Sequence, residues 1–393
     1  MSSAPASYAG VVIAAPVSLP HVRFSEHGAQ WFVGGVLREM LRASGLRKGE
    51  IDGLAVASFT LAPDSVVTLT QYFDMSVRWL EQLPFGGASG VLALRRAARA
   101  VQAGDAEVIA CIGGDTNRPE GFHDLVAGFS SFTVDASYPY GAAGPNMPFA
   151  LITRAYMERH GALREDFGRI CIAQRHNAQH NPGALLGARP LDMEAYLAAR
   201  PVAEPLHLYD CVMPCAGGEG FLVMREERAR ALGLPFARIL AAEELHNAFP
   251  CDPIQLRGGW EEFAPRLYTA AGVSPAEIDV LETYDDYPVI CLLQMEGLGF
   301  CAPGEGPLFV RETPLAFDAG GLAHNTSGGQ LSAGQAGAAA GFMGVVEALR
   351  QVTGAASGRQ VVGARYALAS GYGMINYDRG LCSAAVILEG EDA

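Results

Sequence analysis

Apolar side chains recur along this chain in two rhythms. Val11 to Ala14, Leu54 to Ala57, Val108 to Ile112 and Tyr366 to Ala369 are short continuous runs, the pattern of strands buried on both faces. Between them the spacing becomes that of a helix. Trp31, Phe32, Val36, Leu37, Met40 and Leu41 keep one face and end near Gly45. Val91, Leu94, Ala98 and Val101 keep another, with Arg95, Arg96 and Arg99 opposite and Gly104 as the stop. Phe342, Val345, Val346 and Leu349 form a third. Strands alternating with helices of this length predict an α/β fold.

The order of elements repeats. Ala43-Ser-Gly-Leu-Arg-Lys-Gly-Glu-Ile-Asp52 and Ala270-Ala-Gly-Val-Ser-Pro-Ala-Glu-Ile-Asp279 share their spacing, and each joins a helical pattern to an apolar strand. Phe85-Gly86-Gly87-Ala88-Ser89-Gly90 enters one helix and Gly334 to Gly337 enters another. These matches predict an internal duplication with two helix N-termini facing one central site. The halves are expected at 1–240 and 241–393. A stretch over 115–241 is expected to be a loop or lid insertion carrying helices near Phe149–His160, Glu165–Ala178 and Leu191–Ala199, or to extend a dimer surface.

Composition narrows the function. The chain has 393 residues, half of them hydrophobic, without an apolar run long enough for a bilayer, so neither a membrane span nor disorder is expected. A net charge of −14 without a basic block argues against nucleic acid and leaves small anionic molecules open. The start, Met1 to Ala15, lacks the charged region of a signal peptide, which points to the cytoplasm. Eight cysteines lie mostly in apolar segments, as free thiols do. Cys211 and Cys215, with His207 and Asp210, offer metal-ligand types, but a second ligand pair is missing, so no metal site is expected.

The densest chemistry lies in His324-Asn325-Thr326-Ser327-Gly328-Gly329-Gln330-Leu331-Ser332-Ala333-Gly334-Gln335-Ala336-Gly337. Small residues let a backbone turn sharply and approach a ligand, so Asn325, Ser327, Gly328, Gly329 and Gly334 are candidate binding positions, with Gly87, Ser89, Gly371 and Gly373 from the other runs. This stretch, followed by Val346-Glu-Ala-Leu-Arg350, resembles the C-terminal signature of thiolases, in particular the sterol-carrier-protein type. Gly87-Ala-Ser-Gly90 and Glu282-Thr-Tyr-Asp-Asp-Tyr-Pro288 resemble the nucleophile loop and the thioester-oxygen motif of the same family. The resemblance implies a duplicated αβαβα layered fold with two mixed five-stranded sheets, a homodimer, and coenzyme A thioesters as substrates with no covalently bound cofactor.

The departures from that family redirect the chemistry. The nucleophilic cysteine falls on Gly87, the histidine of the Gly-His-Pro motif on Gln335, the second cysteine on Ala369, and the oxyanion Asn or His on Tyr284. Thiolysis needs a thiolate to carry the acyl group, and neither glycine nor alanine supplies one. What remains is enolate chemistry, which needs donors on a developing oxyanion. Gln335, His324 and backbone amides near Gly87 are the candidate donors, and Tyr284 and Tyr372 the candidate acid and base, a phenolic base requiring a pKa lowered from about 10. Asp285 and Asp286 read as a solvated turn. Thiolase-like aldolases that shorten steroid side chains also lack the cysteine, so the resemblance implies retro-aldol cleavage of a β-hydroxyacyl-CoA, and a possible OB-fold and zinc-ribbon partner subunit. Two alternatives stay open: thiolase-type acyl transfer or Claisen chemistry, and a non-catalytic acyl-CoA-binding subunit.

Overall fold

The computed structural model describes residues 7–119, 121, 134, 137–142 and 144–391. The apolar runs become β1 (Val11–Val22), β2 (Gly53–Ala57), β3 (Trp79–Gln82) and β4 (Val108–Asp115), then β7 (Ala216–Arg225), β8 (Phe236–His246), β9 (Val280–Glu282), β10 (Ala323–His324), β11 (Tyr366–Asn376) and β12 (Arg379–Gly390). A separate two-stranded ribbon joins β5 (Pro201–Ala203) to β6 (Leu206–His207). The sheet order is β10-β9-β11-β12-β8-β1-β7-β4-β2-β3, two five-stranded sets in matching order. They are not separate sheets as expected: β1 and β8 pair antiparallel through Val12–Arg238, Ile13–Ala237 and Ala14–Phe236. Each is the inner edge of its own set, and pairing satisfies backbone groups that an open edge would leave bare.

The helices form the remaining layers. Those that frame the site and its layers are α1 (Ala29–Ser44), α2 (Val66–Tyr72), α3 (Ser89–Ala103), α4 (Asn146–His160), α5 (Arg164–Gln179), α6 (Gly259–Ala271), α7 (Pro288–Gly297), α8 (Gly329–Ala333) and α9 (Ala340–Val352); short helices also occur at Met193–Leu197, Glu226–Ala231 and Gly306–Glu312. Helices α3 and α9 lie between the two strand sets and share one core with both, Val91, Leu94 and Val101 meeting Phe342, Val346 and Leu349 in the same cluster as Ile13, Ile109, Val280 and Val386. Helix α1 covers β4 and β7 from outside, and α6 covers β8 and β12. The layers are therefore αβαβα. The arginine face of α3 emerges at one rim, where Arg95 and Arg96 meet Glu244 of β8.

The duplication persists in individual hydrogen bonds. Asp52 accepts from the backbone N–H groups of Glu107 and Val108 at the start of β4. Asp279, its counterpart, accepts from Arg365 and Tyr366 at the start of β11. Each carboxylate aligns its strand with a parallel neighbour, β2 beside β4 and β9 beside β11. Asp279→Ala is expected to cost about 1–2 kcal/mol, the worth of charge-assisted bonds at a half-exposed position, in urea unfolding. Asp52→Ala should cost a similar amount.

Chain 115–241 is less of an insertion than its sequence suggests. Strand β7 lies in the middle of the N-terminal set, and β8, which begins at Phe236, belongs with the C-terminal strands. The sheet takes up Ala216–Arg225 and the start of β8, so the described residues of this range outside it lie before Ala216 and in the short link between Arg225 and Phe236. Asp115 itself closes β4 and ties the halves together. Its buried carboxylate accepts from Ser58, from the N–H groups of Phe59 and Thr60, and from the Ala338 N–H ahead of α9. No helix among the described residues is long and apolar enough to cross a membrane.

Candidate active site

The central helices begin in contact with each other. A methyl group on Gly90 of α3 would overlap the carbonyl oxygen of Gly341 of α9, and one on Gly341 would come within 2.6 Å of the Gly86 carbonyl oxygen. Position 87 is more restricted still. There a side chain would overlap the aromatic ring of Tyr284 and the carbonyl oxygen of Tyr372, so the tyrosine ring occupies the volume that a residue at 87 would need. Glycine is required at 87 by this close approach.

Tyr284 reaches that point because β9 ends at Glu282 and α7 starts at Pro288, where proline suits a first helical turn. The five residues between form a tight connection. Gln294 of α7 grips its backbone from both sides: its Nε2 donates to the Tyr284 carbonyl (2.6 Å), and its Oε1 accepts from the Tyr284 N–H (3.1 Å) and from Ser370 Oγ (2.6 Å). The hydroxyl of Tyr284 lies close enough to the Asp286 carboxylate and the Gln335 amide for both to shift its protonation. Gln335 Nε2 donates to Asp286 Oδ1 at 2.6 Å, which closes a three-residue cluster. Gln335 is itself fixed by main-chain bonds to Met213 and Cys215.

Burial sets the protonation states. It pushes the Tyr284 hydroxyl well above 10, and the charge of Asp286 adds to the shift, so the phenol stays a donor rather than becoming the base anticipated from sequence. Burial also pushes Asp286 up to about 7, while its bonds to Tyr284 and Gln335 pull the other way. Asp286 is half-buried, and the solvated turn expected there is absent. Asp285 is buried and accepts from the N–H groups of Gln330 and Leu331 at the start of α8. The clue to both aspartates was Pro288, which marks them as the approach to a helix.

The other candidates separate from this cluster. Tyr372 donates to Gln255 Oε1 at 2.9 Å and stacks on Trp260, so only its backbone borders Gly87. His324 is fully buried with Nε2 2.8 Å from Thr283 Oγ1, and burial lowers its pKa to about 3. Between its ordinary value of 6.5 and that value, the unfolded chain takes up a proton that the fold refuses. Stability should therefore fall as pH drops through this window, and His324→Gln should flatten part of the slope in acid titrations followed by circular dichroism. His21, lowered to about 4 by burial, keeps the rest. His176 pairs with Asp318 at the surface, and His246 lies against Phe85.

The small-residue positions pack chain on chain. Ser89 Oγ bonds to the Leu83 carbonyl inside the core, and Asn325 Oδ1 accepts from the Thr283 N–H. Ser327 Oγ accepts from Gly329. Added methyl groups on Gly328, Gly329 and Gly334 would meet Ala178, the Asp285 carboxylate and Cys215 Sγ, and on Gly371 and Gly373 the Ala88 Cα and the Phe85 carbonyl oxygen. These glycines bring protein segments together, a use of small residues that the sequence pattern does not distinguish from ligand approach. Among the described residues no group of three His, Cys, Asp or Glu could hold a metal ion. Helix α4 covers the motif from outside: Tyr287 donates to Asn146 Oδ1 at 2.5 Å and stacks on Phe149 with ring centroids 4.0 Å apart.

Known proteins resemble this chain in sequence and in fold. Residues 248–387 match the thiolase C-terminal domain-like family. The steroid side-chain-cleaving aldolase of Thermomonospora curvata is 31% identical over 326 residues, 79% of this chain and 82% of that protein. The 17-hydroxy-3-oxo-4-pregnene-20-carboxyl-CoA lyase of Mycobacterium tuberculosis is 30% identical over 338 residues, covering 80% and 84%. The solved structure of an Ltp2-ChsH2(DUF35) aldolase superposes with a TM-score of 0.83 at 26% identity over 99% of both chains. With the αβαβα layers, the paired helix N-termini and the two relatives aligned along about four-fifths of its length, this chain belongs to the thiolase superfamily, in the sterol-carrier-protein-type group of thiolase-like proteins.

Proposed function

We propose that the protein cleaves a carbon–carbon bond of a β-hydroxyacyl-CoA by a retro-aldol reaction, without an acyl-enzyme. The observation that carries this reading is the Tyr284 ring standing in the volume of position 87, beside the hydrogen-bonded pair of Asp286 and Gln335. A site so filled has exchanged a nucleophile for hydrogen-bond donors, and donors suffice to stabilise an enolate. Burial pushes the thiols of Cys211, Cys215 and Cys291 upward, which keeps the cysteines around this region in the unreactive form and weighs against acyl transfer. The names of the two relatives, an aldolase and a CoA lyase, support the same chemistry.

In this reading the substrate thioester lies at the paired helix N-termini with its carbonyl oxygen toward the Tyr284 hydroxyl and the Gln335 amide. As the Cα–Cβ bond breaks, its electron pair moves onto the thioester as an enolate, and these donors meet the growing charge. The β-hydroxyl becomes the carbonyl of a released ketone or aldehyde. We also read the protein as a homodimer, and as one that works with a companion subunit, the second of these supported by the two-component name of the structural relative.

The test is incubation with a set of β-hydroxyacyl-CoAs, including 17-hydroxy-3-oxo-4-pregnene-20-carboxyl-CoA, with and without a DUF35-type partner. Products are followed by mass spectrometry, and the intact protein is weighed alongside. A carbonyl product and a shortened acyl-CoA with no gain in protein mass are expected. A stable acyl adduct on a cysteine would return the chain to thiolase chemistry.

A further inference from the structure

Retro-aldol cleavage needs a group that takes the β-hydroxyl proton and a group that protonates the α-carbon. Resting on the retro-aldol reading above, we propose that Asp286 does both, as the single proton carrier of this site. Its carboxylate accepts the hydroxyl proton, and the O–H bonding pair becomes the new carbonyl bond. The Cα–Cβ pair passes to Cα as the enolate, and the Asp286 carboxylic acid then returns one proton to Cα. The carboxylate is regenerated, and no oxidant, water or second acid is consumed.

The geometry selects Asp286 by what surrounds it. Burial holds the phenol of Tyr284 protonated, which makes it a donor and rules it out as the base. Tyr372 is bonded to Gln255 and His324 to Thr283, both fully buried and outside the cluster. Asp285 is spent on the start of α8. Asp286 alone in the motif is half-buried rather than buried, and it adjoins the Tyr284 residue whose ring stands in place of a side chain at 87. Gln335 donates to its Oδ1 at 2.6 Å.

The ionisable groups that bear on it are acidic or neutral: Tyr284, Asp285, Tyr287, Tyr372 and Cys291 all feel or exert a charge across this cluster. No cation figures among the groups that set its protonation, so nothing holds it permanently ionised. Burial raises it to about 7, with the neighbouring Asp285, raised to about 6, ionising first. A carboxyl poised there carries a proton in both directions near neutrality.

The experiment uses two readouts on the whole protein: cleavage of the β-hydroxyacyl-CoA that the wild type accepts, and incorporation of deuterium at the α-carbon of the shortened acyl-CoA product in D₂O. Asp286→Asn, which keeps an acceptor for Tyr284, is expected to lose about 10²-fold or more in both, with KM changed little. The wild-type rise of kcat with pH near neutrality should disappear, and Asp286→Glu should recover part of the rate. Asp286→Asn with kcat within about threefold of wild type and the same pH profile would overturn the proposal while leaving the retro-aldol reading intact. Asp286-dependent exchange of α-deuterium into an acyl-CoA supplied directly, in a protein that cleaves nothing, would uphold the proton carrier and sink the retro-aldol reading. A wild type that neither cleaves nor exchanges would sink both.

Discussion

Tyr284→Phe is expected to lower kcat by about 10²- to 10³-fold, the loss seen when one donor to a developing oxyanion is removed. The ring remains, so the space beside Gly87 stays filled and the fold should hold. What disappears is the hydroxyl that Asp286 and Gln335 share. A second effect has a defined sign. The Tyr284 hydroxyl lowers the Asp286 pKa, so its removal should raise it, moving the acid limb of the pH–kcat profile to higher pH. Steady-state cleavage rates across pH, with circular dichroism to verify folding, measure both. A phenylalanine variant with wild-type rate and profile would remove Tyr284 from the chemistry.

Gly87→Ala is the second large effect, and it works through volume. The added methyl group overlaps the Tyr284 ring and the Tyr372 carbonyl oxygen. The carbonyl belongs to β11 and cannot withdraw without breaking the register with β12. The ring must therefore move, against the hold of Gln294 on its backbone. Overpacking of this kind costs about 1–3 kcal/mol, and displacement of about 1 Å at reacting groups costs about 10²-fold in rate. Both losses are expected in Gly87→Ala. In a Tyr284→Ala background the methyl group has room, so the stability costs should depart from additivity by about 0.5–3 kcal/mol in a denaturant-based double-mutant cycle. Additive costs would show that the two positions do not share the space.

Much of the fold is legible in the chain because burial leaves a period. The strands between helices, the caps at Gly45 and Gly104, and the repeat ending at Asp52 and Asp279 all follow from local chemistry, and both aspartates do the same work at equivalent strand starts. Long-range pairing leaves no such trace. Strand β1 continues to Val22 through two prolines because β7 lies beside it, and the seam between β1 and β8 depends on two edges meeting. The candidate site divides in the same way. Tyr284 and Gln335 were readable as substitutions at motif positions, and the structure joins them. Asp286 was hidden because an Asp-Asp pair before a tyrosine looks like solvated turn. Its role emerges only when Gln335, 49 residues away, donates to it. Tyr372 and His324 looked equivalent to Tyr284 in sequence, but partners distant in the chain or across the β9–β10 pair turn them elsewhere.

The contest for space between residue 87 and Tyr284 also constrains the order in which such a site can change. A cysteine regained at 87 while Tyr284 is present has nowhere to put its Cβ, so that single step loses packing before any thiol chemistry could repay it. The reverse path must begin by shrinking residue 284, which surrenders the hydroxyl beside Asp286 and Gln335. Either way the intermediate sequence has neither chemistry. The glycine and the tyrosine thus act as a ratchet: once both are in place, drift one residue at a time leads away from function in each direction, and only a concerted double replacement crosses back.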